Sequence, residues 1–160
     1  MAETFCYLMR RDLGQDVPPV EWPNGIGLST YRTELAPAVH RLMELGYREG
    51  GGRVPALDLW QQQFESDPEY DPTLCLIASD AEGIVGVAQC WTSSYLKNLV
   101  VHPRLQGRGL GRALLLEVFK RFQARQEGFV DLKVLEDNLR AQRLYESAGM
   151  YVVRREPVPD

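Results

Sequence analysis

Apolar side chains recur along the chain with two different periods, and these periods predict an irregular succession of strands and helices. Strand-like runs cover residues 5–11, 26–32, 73–79, 84–92, 95–101, 130–134 and 151–154. Helical spacing of the apolar positions covers residues 34–45, 56–64, 111–126 and 138–148. Because these elements lack a regular strand–helix–strand rhythm, we expect an α+β domain in which helices flank a mixed sheet.

Prolines and glycines mark the breaks between these elements. A proline-rich connector at residues 18–23 follows the first strand, and three glycines at residues 50–52 predict a flexible break between the first two helices. Pro157 and Pro159 are expected to end the ordered chain. We therefore divide the sequence into residues 1–25, a strand and connector that join the sheet, and residues 26–160, the main domain.

Composition and charge narrow the class of protein. The chain has 160 residues, of which 44% are hydrophobic and 25% are charged, the balance of an ordinary globular domain. The net charge of -4 argues against a nucleic-acid binder held by phosphate contacts. No apolar run reaches the ~18 residues of a membrane span, and the first residues lack a signal peptide's apolar stretch. We expect a cytoplasmic protein without a membrane partner.

The residues that commonly bind metals are few and scattered. The chain has three cysteines, Cys6, Cys75 and Cys90. Their odd number and wide spacing argue against a disulfide framework or a zinc site. Buried, reduced thiols are the expected state. The two histidines, His40 and His102, lack the spacing of metal ligands. We therefore expect no metal.

A glycine-rich turn between a strand and a helix carries the strongest chemical signal. The strand at residues 99–101 ends before Pro103, since proline cannot continue a hydrogen-bonded ladder. Three glycines between residues 107 and 111 then let backbone N–H groups point into a concave turn, and a helix follows. Arg108 and Arg112 add positive charge. This combination suits a pyrophosphate, although glycines also occur in turns without any ligand.

Two common phosphate motifs do not fit this turn. The dinucleotide fingerprint G-x-G-x-x-G requires a third glycine where this chain has Arg112. The P-loop requires Gly-Lys followed by Ser or Thr, a sequence that the chain lacks.

The turn does resemble a third motif. Gln-Gly-Arg-Gly-Leu-Gly at residues 106–111 matches the Q/R-x-x-G-x-G/A signature of the GNAT superfamily of N-acetyltransferases. Three further segments resemble parts of the family's pattern. Residues 99–103 are similar to the strand before the turn, residues 137–149 to a later helix motif, and residues 26–40 to the first strand and helix. The resemblance covers residues 26–155. It implies an open, mostly antiparallel central sheet that is splayed at an acyl-CoA site.

The resemblance also implies how acetyl-CoA, the co-substrate of this family, would be held. Two central strands would enclose the acyl group and the pantetheine arm, the turn would hold the pyrophosphate, and Asn138 would contact the pantetheine or act only as a helix cap. The cofactor-binding residues implied are Leu99, Val100, Val101, Gln106, Gly107, Arg108, Gly109, Leu110, Gly111, Arg112, Asn138 and Tyr145.

Tyr145 is the catalytic candidate that the resemblance implies. When an amine attacks the thioester, a thiolate must leave, and a nearby hydroxyl can act as its general acid. The alternative is an ordinary core aromatic, because Ala141, Leu144 and Ala148 share a helical face with Tyr145.

The general base is not evident in the sequence. Many relatives have a glutamate on the strand before the turn, at the position that Tyr95 occupies here. Water, Glu34 or Glu49 could serve instead, and His102 is expected to be structural. Five aromatic residues are candidates for lining an acceptor pocket or for core packing: Tyr31, Tyr47, Trp60, Trp91 and Tyr95.

The end of the chain lacks one strand of the family's pattern. Only one short strand follows the last helix, and the strand at residues 5–13 resembles the missing one. We expect it to fill the vacant place, within one chain or by exchange in a homodimer. The leading hypothesis is an N-acetyltransferase acting on a primary amine. A non-catalytic acyl-CoA-binding module is the alternative, and a Rossmann-type oxidoreductase is disfavoured by Arg112.

Overall fold

The computed structural model describes residues 3–50 and 53–159. The strands are β1 Phe5–Asp12, β2 Gly27–Thr30, β3 Cys75–Asp80, β4 Gly83–Trp91, β5 Tyr95–Val101, β6 Phe129–Leu135 and β7 Tyr151–Pro157. The helices are α1 Ala36–Gly50, α2 Leu57–Ser66, α3 Leu110–Ala124 and α4 Leu139–Ser147. None of the helices in these described ranges is long and apolar enough to cross a membrane.

The strands form one open seven-stranded sheet in the order β2-β3-β4-β5-β6-β1-β7. Every neighbouring pair is antiparallel except β5 and β6, which run parallel. Helices flank this sheet, so the expected α+β domain with a mixed, mostly antiparallel sheet is confirmed.

Apolar residues of the sheet alternate between two clusters, one against each set of helices. On β3, Leu76 and Ala78 belong to the cluster that contains Phe119 of α3, whereas Ile77 belongs to the cluster that contains Val39 of α1. Side chains of a strand point to opposite faces in turn, so α1 and α2 cover one face while α3 covers the other. The sheet is therefore the central layer of three.

The two parallel strands separate soon after they meet. Their ladder contains one pair, Tyr95 with Asp131, and the N–H of Asp131 donates to the carbonyl of Ser94 at 3.1 Å. The Ser94 hydroxyl also donates to the carbonyl of Phe129. Beyond this point β5 and β6 diverge, which opens a gap between their carboxyl ends. The splayed sheet that the sequence resemblance implied is present.

The N-terminal strand completes the sheet within its own chain. β1 lies between β6 and β7 and pairs antiparallel with both of them. Met9 is completely buried, and Leu8 is 6% exposed. β1 of the same chain therefore fills the position between β6 and β7. This pairing within one chain gives no support to strand exchange in a homodimer.

Two boundaries differ from the sequence-based expectations. α1 continues to Gly50, beyond the expected end at residue 45. Gly46 lies inside the helix and packs closely on β5, since a Cβ added there would lie 2.7 Å from Val100 Cγ1. Gly51 and Gly52 of the expected break lie outside the described residues. At the other end, β7 includes Pro157, and the Val158 N–H donates to the Thr4 carbonyl at 2.8 Å. Proline is tolerated there because β7 is an edge strand.

The buried side chain of Arg11 links β1 to neighbouring segments through hydrogen bonds. The side chain is 6% exposed and donates to the carbonyl of Ala148 at the end of α4. It also donates to the carbonyls of Asp12, Gln15 and Asp16, which begin the connector. One buried guanidinium thereby joins the strand, the connector and the last helix.

We predict that deleting residues 1–16 destabilises the protein severely, because the deletion removes a strand from within the sheet, exposes one edge of β6 and leaves β7 without a neighbour. The melting temperature should fall by about 10 °C or more, given the ~4–8 °C that each 1 kcal/mol represents in a small domain. Thermal unfolding followed by circular dichroism measures this shift. A chain ending at Pro157 is the control and should melt within ~2 °C of the intact protein. An unchanged melting temperature after the deletion of residues 1–16 would contradict this role of β1.

Candidate active site

Two helices begin at the mouth of the gap between β5 and β6. α3 follows β5 after a short 3-10 turn at Pro103–Leu105, and α4 follows β6. Because β5 and β6 are parallel, their carboxyl ends and the N-termini of α3 and α4 lie at the same edge of the sheet. Open sheets commonly bind ligands at such a place.

The glycine turn presents unsatisfied backbone amides at this edge. Gly107 and Gly109 have φ angles of 77° and 87°, a left-handed conformation that costs other residues ~1–2 kcal/mol. Gly109 is the N-cap of α3, and no side chain accepts a hydrogen bond from the first turn of the helix. That turn also contains no acidic residue. The first N–H groups of α3 are therefore available to an anion.

Close contacts bring the first turn of α3 together with α4 and β5. A Cβ at Gly111 would lie 3.5 Å from Leu144 Cδ2 and 3.7 Å from Val101 Cγ2. Arg140 at the start of α4 donates to Oε1 of Gln106 at 3.4 Å. The structure thus places the residues predicted for the turn, the end of β5 and the start of α4 around one gap.

Positive charge surrounds the turn. Arg108 and Arg112 are exposed, and neither forms an ion pair with any residue in the ranges 3–50 and 53–159. Free guanidinium groups beside unsatisfied amides are suited to phosphate oxygens. The residues present therefore fit the pyrophosphate of a coenzyme A donor.

Asn138 acts as a helix cap. Its Oδ1 accepts a hydrogen bond from the N–H of Ala141 at 3.1 Å, which satisfies one of the first amides of α4. The amide group of its side chain is exposed at the same mouth. A contact with the pantetheine arm remains a prediction.

Tyr145 is partly buried, and it packs against the apolar cluster that includes α3. Burial raises the pKa of its hydroxyl to about 12, so the group keeps its proton at neutral pH. The described part of the chain provides no hydrogen-bond partner for this hydroxyl. Tyr145 therefore packs against the core, and its role as a general acid stays a prediction.

The other face of β5 borders a separate cleft. Tyr47 of α1 donates to Asn98 Oδ1 at 2.6 Å, and Asn98 Nδ2 donates to Gln89 Oε1 at 2.8 Å. Burial raises the pKa of Tyr47. These side chains form one wall of a cleft of about 190 Å³, which α1, α2 and the segment after α2 complete. β5 therefore lies between this cleft on one face and the helices of the glycine turn on the other.

An irregularity in β5 shapes the cleft. Gln89 pairs with Asn98 and Cys90 pairs with Leu96, so Lys97 is an extra residue without a partner on β4. Such a bulge changes the direction of the neighbouring side chains. As a result Lys97 and Asn98 both line the cleft, although adjacent residues of a regular strand point to opposite faces.

Of the five aromatic residues that are candidates for an acceptor pocket, two line the cleft and three do not. Tyr47 and Trp60 line the cleft. Tyr31 is buried and donates to Glu65 at 2.7 Å. Trp91 and Tyr95 stack on each other with ring centroids 5.2 Å apart and do not line the cleft.

Of the residues considered as a general base, Glu34 and His102 do not line the cleft. Glu34 is exposed and lies 3.9 Å from Arg32, and the side chain of Glu49 lies outside the described residues. His102 accepts a hydrogen bond from the N–H of Arg104 at 3.2 Å, a structural role. Within the described ranges Asp67 is the only carboxylate that lines the cleft. The sequence analysis missed it because nothing in a polar loop marks which of its acidic residues will point inward.

The candidate metal ligands stay apart. Cys6, Cys75 and Cys90 are buried free thiols, as expected, and burial raises the pKa of Cys75 to about 12. Across residues 3–50 and 53–159, no group of three or more His, Cys, Asp or Glu side chains is placed to hold a metal ion.

A mixed sheet splayed at its parallel pair, with a glycine turn and an uncapped helix at the opening, defines the acyl-CoA N-acyltransferase fold. Comparison with known sequences gives the same result. The model of the acetyltransferase (GNAT) family matches residues 37–150. The chain belongs to this family.

The chain is similar to parts of longer proteins. The mycothiol acetyltransferase of Thermobispora bispora is 32% identical over 156 residues, which cover 88% of this chain and 52% of that protein. The ribosomal protein bS18-alanine N-acetyltransferase of Haemophilus ducreyi is 33% identical over 89 residues, which cover 51% of this chain and 61% of that protein.

A solved structure shows the same arrangement over nearly the whole chain. The GCN5-related N-acetyltransferase of Sphaerobacter thermophilus superimposes with a TM-score of 0.85 and 29% identity, covering 98% of this chain and 51% of that one. The chain thus spans about half the length, or less, of the mycothiol acetyltransferases that it matches.

We predict that Gly109→Ala weakens acetyl-CoA binding by about tenfold, because alanine disfavours the left-handed conformation that aims the first amides of α3. Calorimetric titration measures the dissociation constant. Gly25→Ala is a matched control: Gly25 has a φ of 80°, and a Cβ at either glycine would meet nothing within 4 Å. Both variants should lose similar stability, but only Gly109→Ala should lose affinity. Equal affinities for the two variants would show that the turn does not hold the donor.

Proposed function

We propose that this protein is an N-acetyltransferase that transfers the acetyl group of acetyl-CoA to a primary amine. The observation that supports this proposal most is the gap between β5 and β6, with the uncapped N-terminus of α3 at its mouth. Family membership supports the same activity. Acetyl-CoA supplies the activated thioester, and the residues of the chain bind it, orient it and stabilise the leaving group.

The diverging edge of β5 offers a binding surface for the pantetheine arm. β4 pairs with one edge of β5 as far as Val101, whereas β6 pairs with the other edge only at Tyr95. The pairing with β4 directs the backbone groups of Val100 towards Val87, so the N–H and C=O groups of Leu99 and Val101 face that second edge and need partners. The amides of a pantetheine arm can pair with them as an added strand would. The amides of residues 108–112 would then donate to the pyrophosphate.

The reaction itself is a direct attack. The lone pair of the neutral amine forms a bond to the thioester carbonyl carbon, and the C–S bond breaks as the tetrahedral intermediate collapses. The nitrogen loses a proton and the thiolate gains one, which leaves an amide and free coenzyme A. An alkyl ammonium has a pKa near ~10.4, so the amine must be deprotonated before it attacks.

Tyr145 is the proposed donor to the leaving sulfur. Its pKa of about 12 keeps the hydroxyl protonated throughout the working range of pH. Because an alkyl thiol has a pKa near ~8.5, complete proton transfer from this tyrosine to the thiolate is uphill. The contribution of Tyr145 is therefore a hydrogen bond that strengthens as negative charge develops on sulfur, with the proton following from solvent or from Tyr145 itself.

A non-catalytic acyl-CoA-binding module is the second candidate. It would use the same donor site, and the observation that favours it is the lack of a carboxylate on β5. Turnover with an amine separates the two functions. The relatives are named after different molecules, mycothiol and the alanine of a ribosomal protein, so the acceptor does not follow from similarity.

We predict that Tyr145→Phe lowers kcat by about 100-fold, the lower end of the effect of a positioned acid, while the dissociation constant of acetyl-CoA changes little. Release of free thiol from acetyl-CoA measures kcat. Tyr151→Phe is the control, because Tyr151 lies on the edge strand and donates to the exposed carboxylate of Asp12. It should retain the wild-type rate. A full rate for Tyr145→Phe would remove Tyr145 from the mechanism.

The rate should also rise with pH without a later decline up to about pH 10. Deprotonation of the amine increases the reactive fraction, and Tyr145, with its pKa raised to about 12, remains protonated over this range. A pH profile of kcat/KM, with a stability control at each pH, measures this. A decline of the rate between pH 8 and about 10 in a stable protein would contradict the assigned protonation state.

A further inference from the structure

Three charged side chains line the cleft beside β5, and none of them has a partner of opposite charge. Arg53 precedes α2, Asp67 follows α2, and Lys97 occupies the bulge of β5. Within the part of the chain that the structure describes, no ion pair involves any of the three. Oδ1 of Asp67 accepts a hydrogen bond from the N–H of Glu69 at 2.8 Å, and Lys97 Nζ lies 4.8 Å from the centre of the Trp91 ring.

The other polar groups of the cleft are neutral amides. Gln63, Gln89 and Asn98 complete the polar lining, and Asn98 and Gln89 are bonded to each other. Among the side chains that the structure describes, the charged lining therefore consists of two cations and one carboxylate. A bare alkylammonium would add a third positive charge to this cleft and would be repelled, whereas an amine that also carries an anionic group would not.

We propose that the acceptor is a small primary amine that also carries an anionic group, and that Arg53 and Lys97 bind this group. The proposal rests on the N-acetyltransferase activity proposed above. A carboxylate of the amino-acid type is the simplest such group, since it can accept charge-assisted hydrogen bonds from both cations while the ammonium faces Asp67.

The same cations make the amine easier to deprotonate. Neighbouring positive charges favour the neutral form of an amine and lower its pKa. Because β5 carries no carboxylate that could act as a base, this effect increases the fraction of amine that is ready to attack. Substrate selection and activation would then depend on the same two residues.

The size of the cleft agrees with a small acceptor. Its volume of about 190 Å³ is below the ~300 Å³ at which pockets for drug-sized ligands begin. Met43, Trp60 and Phe64 provide apolar walls. An amine of amino-acid size, or the end of a longer molecule, fits this space.

The phosphates of coenzyme A are not the expected occupant. Val100, which packs on α1, belongs to the same cluster as the cleft wall residues Met43 and Phe64, whereas Val101 contacts the first turn of α3. The cleft and the glycine turn therefore lie on opposite faces of β5. Substitutions in the cleft should leave the affinity for acetyl-CoA unchanged.

The test compares matched acceptors with acetyl-CoA as donor. The standard amino acids and their carboxamides differ in the charge of one group, and rates are expressed per neutral amine at a fixed pH. For the best amino acid, kcat/KM should exceed that of its carboxamide about tenfold or more, the effect expected for losing a charge-assisted hydrogen bond. Lys97→Met and Arg53→Met should each raise KM for the amino acid and reduce this preference, with the acetyl-CoA affinity unchanged. Arg41→Met, an exposed cation of α1 that does not line the cleft, is the control and should keep the preference.

Two results would overturn the proposal. Equal kcat/KM values for amino acids and carboxamides would reject the anionic group but leave the N-acetyltransferase activity established. A preference that survives both Lys97→Met and Arg53→Met would reject these residues as its source. If neither series is acetylated although acetyl-CoA binds, the activity proposed for the protein fails as well, and the binding measurement distinguishes this result from the first.

Discussion

The structure depends on two parallel strands that pair at one point and then diverge. β5 and β6 meet at Tyr95 and Asp131 and then separate, so the middle of the sheet has a gap with free backbone groups along its sides. In a closed sheet these groups would be satisfied by each other. Here α3 and α4 begin at the mouth of the gap, and the first turn of α3 contacts α4 through Gly111 and Leu144. The proposed donor, acetyl-CoA, would complete the missing hydrogen bonds with its amides and its pyrophosphate.

The rest of the sheet keeps this gap in place. On one side, β4 and β3 support β5 through regular antiparallel pairing. On the other side β6 would be an edge without β1, which pairs with its whole length and is fixed by the buried Arg11. A strand from the beginning of the chain thus stabilises the wall of a site that is formed mostly by its second half.

The sequence predicted the donor side of the protein better than the acceptor side, for a physical reason. The proposed donor site consists mainly of backbone groups, and the glycines at 107 and 109 are visible in a sequence because few residues can replace them at positive φ. The acceptor cleft depends on tertiary placement: a bulge at Lys97, the helix extension beyond Gly46 and the inward direction of Asp67. No local pattern marks these features. Of five aromatic residues proposed for the cleft, Tyr47 and Trp60 line it because α1 and α2 happen to place them there.

The central claim is that acetyl-CoA binds in the gap between β5 and β6 with its pyrophosphate at the first turn of α3. Backbone amide resonances recorded during an acetyl-CoA titration test this claim most directly. We expect the largest shifts at residues 107–112 and 99–101, with small shifts for residues 14–20, which follow β1. Large shifts elsewhere, with residues 107–112 unaffected, would contradict the account.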